Sequence, residues 1–371
     1  MELTVRLQQL LEDAVDQRRV PSAVCAVALD GEALPVLSAG LALRYGPGGV
    51  QLPEAEQVPA DAGTWYDLAS VTKPFSAVAL LALVRDGVLD LDEPVTVRLP
   101  AFAGADGWPD PRRELVTLRH LLTHTAGLPA TWNGWRNSLP DREAAVDSLL
   151  SVPLDTSPGG GFSYSCVGYN TALALAETTT GSTWAELVER LVLKPLDLGG
   201  GVTFRPDPQR CAATECGTPD GRALVRGEVH DESAHALGGA AANAGLFGTA
   251  AGVLRFAEAL RGGLPEVLPE GLAGVLWADQ LDRLLGPAAD AARSAVGYGQ
   301  SVGLRIGQLG WMGEDAAEAR GHNGFTGTSF LTDRTRRLSV VLLTNRVHPT
   351  RDGTDAAVLR KTVSNTVYAA A

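Results

Sequence analysis

The sequence predicts an α+β fold: an antiparallel sheet covered by N- and C-terminal helices, with a mostly helical subdomain set into it. Three observations carry this expectation. Strand-like runs lie at both ends of the chain, SAVCAVALDGEALPVLSAGLAL near the start and RRLSVVLLTNRV near the finish. Residues 74 to about 195 are mostly helical in pattern. Amphipathic helices open and close the chain, each able to cover one face of a sheet. The 371 residues therefore read as a single domain, its α/β part roughly 1–69 and 196–371 and its helical part roughly 70–195.

Composition narrows the function. A hydrophobic share of 45% with 20% charged residues suits a water-soluble protein with a sizeable core. A net charge of −12 argues against a nucleic-acid partner, because no basic run is present to neutralise phosphates. Cys25, Cys166, Cys211 and Cys216 are too few and too irregular for a disulfide framework or a zinc site. The opening MELTVRLQQLLEDAVDQRR lacks a continuous apolar stretch, so it reads as neither a signal peptide nor a membrane span. A cytoplasmic location is the expectation, with oligomeric state left open.

The first helix, near residues 3–18, places Leu3, Leu7, Leu10, Leu11 and Val15 on one face. Two β-rich runs follow, joined at Asp30-Gly31 as a hairpin. Residues 45–63, rich in glycine and proline, form a loop. WYDLASVTKP then leads into an apolar helix that lasts to Gly87. LRHLLTHTAGLP starts a short helix and a turn, with Trp132 and Trp135 beyond it as core or cleft wall. Pro158 and three glycines break the next helix ahead of FSYSCVGYN. His230, Asp231, Glu232 and His235 invite a metal reading, but no pair has the helical ligand spacing of a zinc hydrolase, so a polar loop walling a cleft is preferred. Residues 251–292 are helical, and YGQSVGLRIG, GHNGFTGTSFLTD and RRLSVVLLTNRV read as three antiparallel strands turning at Asp333-Arg334-Thr335.

The chemistry centres on Ser70 and Lys73. Three apart at a helix start, they share a face and reach each other. The helix N-terminus adds unpaired N–H groups and a positive dipole end beside the serine oxygen. A neutral lysine amine there can take the serine proton and turn a weak nucleophile into an acylating one. Only three of the 31 basic residues are lysines, and arginine, which dominates, cannot serve as a base. A bare Ser-x-x-Lys is equally the pattern of a capped helix with a solvated lysine, so companions are needed.

Those companions are Tyr164-Ser165-Cys166 and His322-Asn323-Gly324. With Ser70-Val71-Thr72-Lys73 they align with a known pattern, and Ser-x-x-Lys is itself a motif of β-lactamases and penicillin-binding proteins. Together with VPSAVCAVALDGE, LRHLLTHTAGLP, KPLDLGG and VVLLTNRV, in order along nearly the whole chain, they make it resemble the class C type of the serine β-lactamase-like family. That family includes D,D-carboxypeptidases, penicillin-binding proteins and family VIII-type esterases. The resemblance implies a β-lactamase/transpeptidase-like fold and a serine hydrolase that works through an acyl-enzyme on an ester or amide, with no cofactor or metal. Ser70 would be the nucleophile, Lys73 its proton acceptor, and Tyr164 the shuttle to the leaving group. Backbone N–H groups of Ser70 and Phe325 would form the oxyanion hole. His322, Asn323, Gly324 and Cys166 would meet a small ester, amide or β-lactam-like substrate. A true β-lactamase, a D,D-carboxypeptidase and a slowly acylating penicillin-binding module are the alternatives. His124 reads as structural. Two positions depart from the family pattern: Cys166 stands for an asparagine, and His322, a titratable cation, for a lysine.

Overall fold

The run SAVCAVAL forms strand β1 (Ser22–Leu29), buried on both faces, which is why it lacks polar alternation. Asp30 and Gly31 take positive φ and turn the chain into β2 (Glu32–Ala33). β3 (Leu37–Leu43) and β4 (Val58–Pro59) continue to the sheet edge. A separate three-stranded sheet joins β5 (Tyr66–Asp67), β6 (Val202–Thr203) and β7 (Phe247–Gly248). The main sheet resumes with β8 (Gly299–Gln300), β9 (Arg305–Ile306), β10 (Arg320–Asn323), β11 (Ser329–Asp333) and β12 (Leu338–Thr344). Its order is β4-β3-β1-β12-β11-β10-β9-β8, antiparallel throughout, with β1 also holding β2. The computed structural model describes residues 2–104, 110–138, 141–353 and 355–371.

Side chains alternate between two cores, as the pleat requires. Ala23, Cys25, Val27, Val340 and Leu342 face a cluster closed by the terminal helices Glu2–Asp16 and Ala357–Tyr368. Val24, Ala26, Val341 and Leu343 face the larger core shared with the helical part. Into that core runs the helix Thr72–Arg85, buried on every side from Thr72 to Leu83. Phe75 stacks on Phe256 with ring centroids 3.6 Å apart, and Phe256 meets Phe330 of β11 edge-on. This aromatic stack ties the Ser70 helix to the sheet.

Most expected elements are present. The three C-terminal runs, however, give five strands. YGQSVGLRIG folds back on itself at Gly303, where a Cβ would meet that of Ala77 at 2.5 Å. GHNGFTGTSFLTD breaks between β10 and β11 because residues 324–328 turn onto the loop before Ser70. There Thr326 donates to the Asp67 carbonyl at 2.7 Å and Thr328 to the Leu68 carbonyl at 2.9 Å. A Cβ on Gly324 would lie 2.5 Å from that Leu68 carbonyl, so only glycine allows the approach. Trp132 and Trp135 are buried, as expected of core or cleft-wall residues, and so are Trp65 and Trp311.

Candidate active site

The turn that presents Ser70 is built by Asp67. One oxygen of this buried carboxylate accepts the Ala69 N–H at 2.7 Å and the other the His230 N–H at 2.6 Å. Ala69 takes φ +46°, unusual for a residue with a Cβ. Ser70 then sits in a short 3₁₀ turn, Ala69–Val71, that feeds the helix beginning at Thr72. The expected helix start is therefore one tight turn earlier than the helix proper. Burial lifts the Asp67 carboxyl above its usual range, with the two N–H donors working in the opposite direction.

Lys73 is fully buried. Its Nζ stands 3.1 Å from Ser70 Oγ, 3.1 Å from the Asn243 carbonyl and 3.4 Å from Cys166 Sγ. An ammonium has three N–H groups, and here each has a partner. Burial works against the charge. Cys166 and Tyr164 facing it, with Asp231 beyond, outweigh that and hold the amine above its ordinary range. In this arrangement the amine donates to Ser70 Oγ.

Tyr164 lies over Lys73, the ammonium 4.9 Å from its ring centroid. Its hydroxyl is buried and has no hydrogen-bond partner among the described residues. His124 packs on the same ring at 4.5 Å and accepts the Ser165 N–H on Nδ1 at 3.0 Å. Burial, with Lys73 and Arg305 nearby, pushes His124 well below its ordinary range, so it is a neutral wall that fixes the tyrosine loop. Cys166 begins the helix Cys166–Thr180, capped by the Ser165 hydroxyl accepting the Gly168 N–H at 3.1 Å. The thiol thus keeps contact with the lysine.

A cleft of about 410 Å³ brings together Ser70, Tyr164, Asn323, Gly324 and Phe325. Arg305, Arg346, Arg360 and Asp355 complete its wall. His322 does not join them as expected. It is buried within β10, its Nδ1 2.8 Å from the Asn323 carbonyl, and burial followed by Arg305 and Lys73 pushes it well below its ordinary range. The cleft wall carries instead Arg305 of β9, a cation the sequence reading did not single out, which the pairing of Gly321 with Arg305 places beside β10. Its guanidinium lies between Tyr164 and Tyr298, 4.9 and 5.0 Å from their ring centroids, and donates to Asn323 Oδ1 at 3.0 Å.

The stretch from His230 to Asn243 holds a short helix, Glu232–Ala236, where a polar loop was expected, and it meets the site through the Asn243 carbonyl on Lys73. His230 pairs with Glu215 at 2.9 Å, and Asp231 accepts from the Asn243 amide at 3.2 Å. Among the described residues no three His, Cys, Asp or Glu side chains converge on a metal position.

A family model described as Beta-lactamase matches residues 7–364. The chain belongs to the beta-lactamase family. Esterase EstB of Burkholderia gladioli is 33% identical across 97% of this chain and 95% of its own. The N-acetylmuramyl-L-alanine amidase of Bacillus subtilis is 29% identical across 88% of this chain and 78% of its own. Among solved structures, EstCE1, a hydrolase with promiscuous acyltransferase activity, superposes with a TM-score of 0.75 at 23% identity over 99% of this chain and 98% of its own. Unliganded simvastatin synthase LovD of Aspergillus terreus gives 0.74 at 21% over 99% and 98%. These two likenesses establish a shared beta-lactamase-type fold.

Proposed function

We propose that this beta-lactamase-family serine hydrolase acts on carboxylic esters or amides of modest size through a Ser70 acyl-enzyme, and that it favours substrates bearing a negative charge. The observation that carries the reaction is Ser70 Oγ at 3.1 Å from Lys73 Nζ, on a cleft that Tyr164 also lines. Ser70 Oγ attacks the carbonyl carbon, and the Lys73–Tyr164 pair takes its proton. The oxyanion that forms is met by the backbone N–H groups of Ser70 and Phe325. Tyr164 passes the proton to the leaving oxygen or nitrogen as its bond to carbon breaks. Water then attacks the acyl ester, giving its proton to the same pair and restoring Ser70. Because Lys73 rests as an ammonium, the pair must be one proton short before it can accept another, so activity falls on the acid side.

The preference for anionic substrates rests on Arg305. It is the cation nearest Tyr164 on the substrate side and supplies the charge that buried His322 does not. The same observation favours a second reading, a D,D-carboxypeptidase or β-lactamase, whose substrates carry a carboxylate. The 33% identity to an esterase, and a thiol where the family pattern has an amide, favour esters.

Intact-mass spectrometry with a slowly deacylating ester is the test. One adduct is expected, lost in Ser70→Ala; an adduct retained by that variant rejects the mechanism. Lys73→Arg keeps the charge but removes any accessible neutral form, so near-complete loss of acylation is expected if the proton moves through this nitrogen.

A further inference from the structure

The catalytic cleft shares Arg346 with a second cleft of about 170 Å³. This one lies where the end of the N-terminal helix, the end of β3 and the segment after β12 meet. Arg18, Arg44 and Arg346 line it, and among the described residues no aspartate or glutamate does. In a chain of net charge −12 that concentration runs against the average. The Arg44 Nε is buried with no hydrogen-bond partner among the described residues. The two carboxylates that act on Arg346 are held elsewhere: Glu215 by Arg351 and His230, Asp355 beside Arg360 at 3.7 Å. His348 lends no charge. Its Nε2 accepts the Arg44 and Tyr45 N–H groups at 3.1 and 3.0 Å, and burial pushes its pKa to about 4.

Guanidinium groups that line one cleft repel one another, and an anion among them relieves the repulsion. Arginine's fixed fork suits a phosphate-like oxyanion, which accepts on several oxygens at once. We propose that this cleft binds a small multivalent oxyanion of the phosphate class and that Arg346 relays its presence to the catalytic cleft. Arg346 is placed for this: its Nε donates to the Phe325 carbonyl at 2.7 Å and its guanidinium lies over the Phe325 ring at 4.6 Å. An anion on its far side reduces the positive potential that a charged substrate meets. The relay rests on the anionic-substrate reading above; the binding site does not.

Calorimetric titration of the full chain with inorganic phosphate, against chloride at matched ionic strength, tests the site without turnover. Saturable binding at one site is expected, weakened at least roughly tenfold in Arg44→Gln. Among the described residues the Arg44 side chain makes no hydrogen bond, only an approach to the Tyr45 ring at 5.6 Å, so the variant should keep its melting temperature and its hydrolysis of a neutral ester. Absence of saturable binding, or unchanged affinity in Arg44→Gln, overturns the site. Methyl phosphate binding as tightly as phosphate assigns the cleft to the phosphoryl end of a larger ligand, and weaker binding assigns it to the free anion. For the relay, phosphate should raise KM for an anionic ester, leave a neutral ester unchanged, and lose this effect in Arg44→Gln. Inhibition that persists in the variant places phosphate in the catalytic cleft and overturns the relay.

Discussion

Asp67 holds Ala69 by its N–H at 2.7 Å, and Ala69 is the left-handed residue immediately before the nucleophile. The carboxylate fixes the turn from one side while Thr326 and Thr328 bind the carbonyls of Asp67 and Leu68 from the other. Asp67→Asn leaves one oxygen for two N–H donors. A buried donor without a partner costs about 1–3 kcal/mol. Urea unfolding should show a loss in that range, and kcat should fall with little change in KM, because Ser70 is misplaced rather than the substrate. A fall in KM-controlled binding alone would assign Asp67 to substrate contact instead.

Arg305→Gln should lower kcat/KM for an anionic ester by roughly tenfold or more, the worth of a hydrogen bond to a charged group, and leave a neutral ester within a factor of a few. His322 is neutral, so the two substrate types should show parallel pH profiles from about pH 6 to 8, the range in which an ordinary histidine titrates. Divergent profiles that His322→Gln makes parallel would return the cation to His322.

Cys166→Asn places an amide where the thiol now stands 3.4 Å from Lys73 Nζ. An amide both donates and accepts well, and a thiol does neither. Acylamino substrates, including β-lactams, should gain roughly tenfold in kcat/KM, while short-chain esters stay within a factor of a few. Equal losses on both classes would mean that the thiol only packs behind Tyr164.

Acid stability should depend on Glu215 and Asp220. Burial alone raises both, but His230 and Arg351 bring Glu215 to about 2, and Arg222 and Thr218 bring Asp220 to about 2. Folded values below the unfolded 4.5 and 3.8 mean that their contribution is complete above the unfolded values and lost as pH falls towards 2. The melting temperature should therefore decline between about pH 4.5 and 2, and Arg351→Gln should make that decline shallower. An unchanged slope in the variant would assign the acid loss to other carboxylates.

The sequence pattern shows the sheet, the terminal helices and the Ser70–Lys73 pair because each rests on local signals: apolar β-rich runs, helical spacing, a motif. Tyr164 joins the pair only through the family resemblance. What escapes it depends on distant pairing. Arg305 is one of many arginines until β9 lies beside β10. Asn243 touches Lys73 through a backbone carbonyl, which no side-chain pattern advertises. Asp67 reads as an ordinary acid until His230, far along the chain, closes on it. His322 looks like a cation because its identity is visible and its burial is not.

The pairing of β1 with β12, Val24 opposite Leu343, has a consequence for synthesis. The first long strand leaves the ribosome with its principal neighbour still untranslated. Until the last strand emerges, β1 keeps its β12-facing edge bare, since β3 and β2 pair along the opposite edge. The helices after Ser70 can pack meanwhile, since their contacts are closer in sequence. Closure of the main sheet thus waits for β12, and a nascent chain halted before Leu338 should be a client for chaperones that recognise bare strand edges.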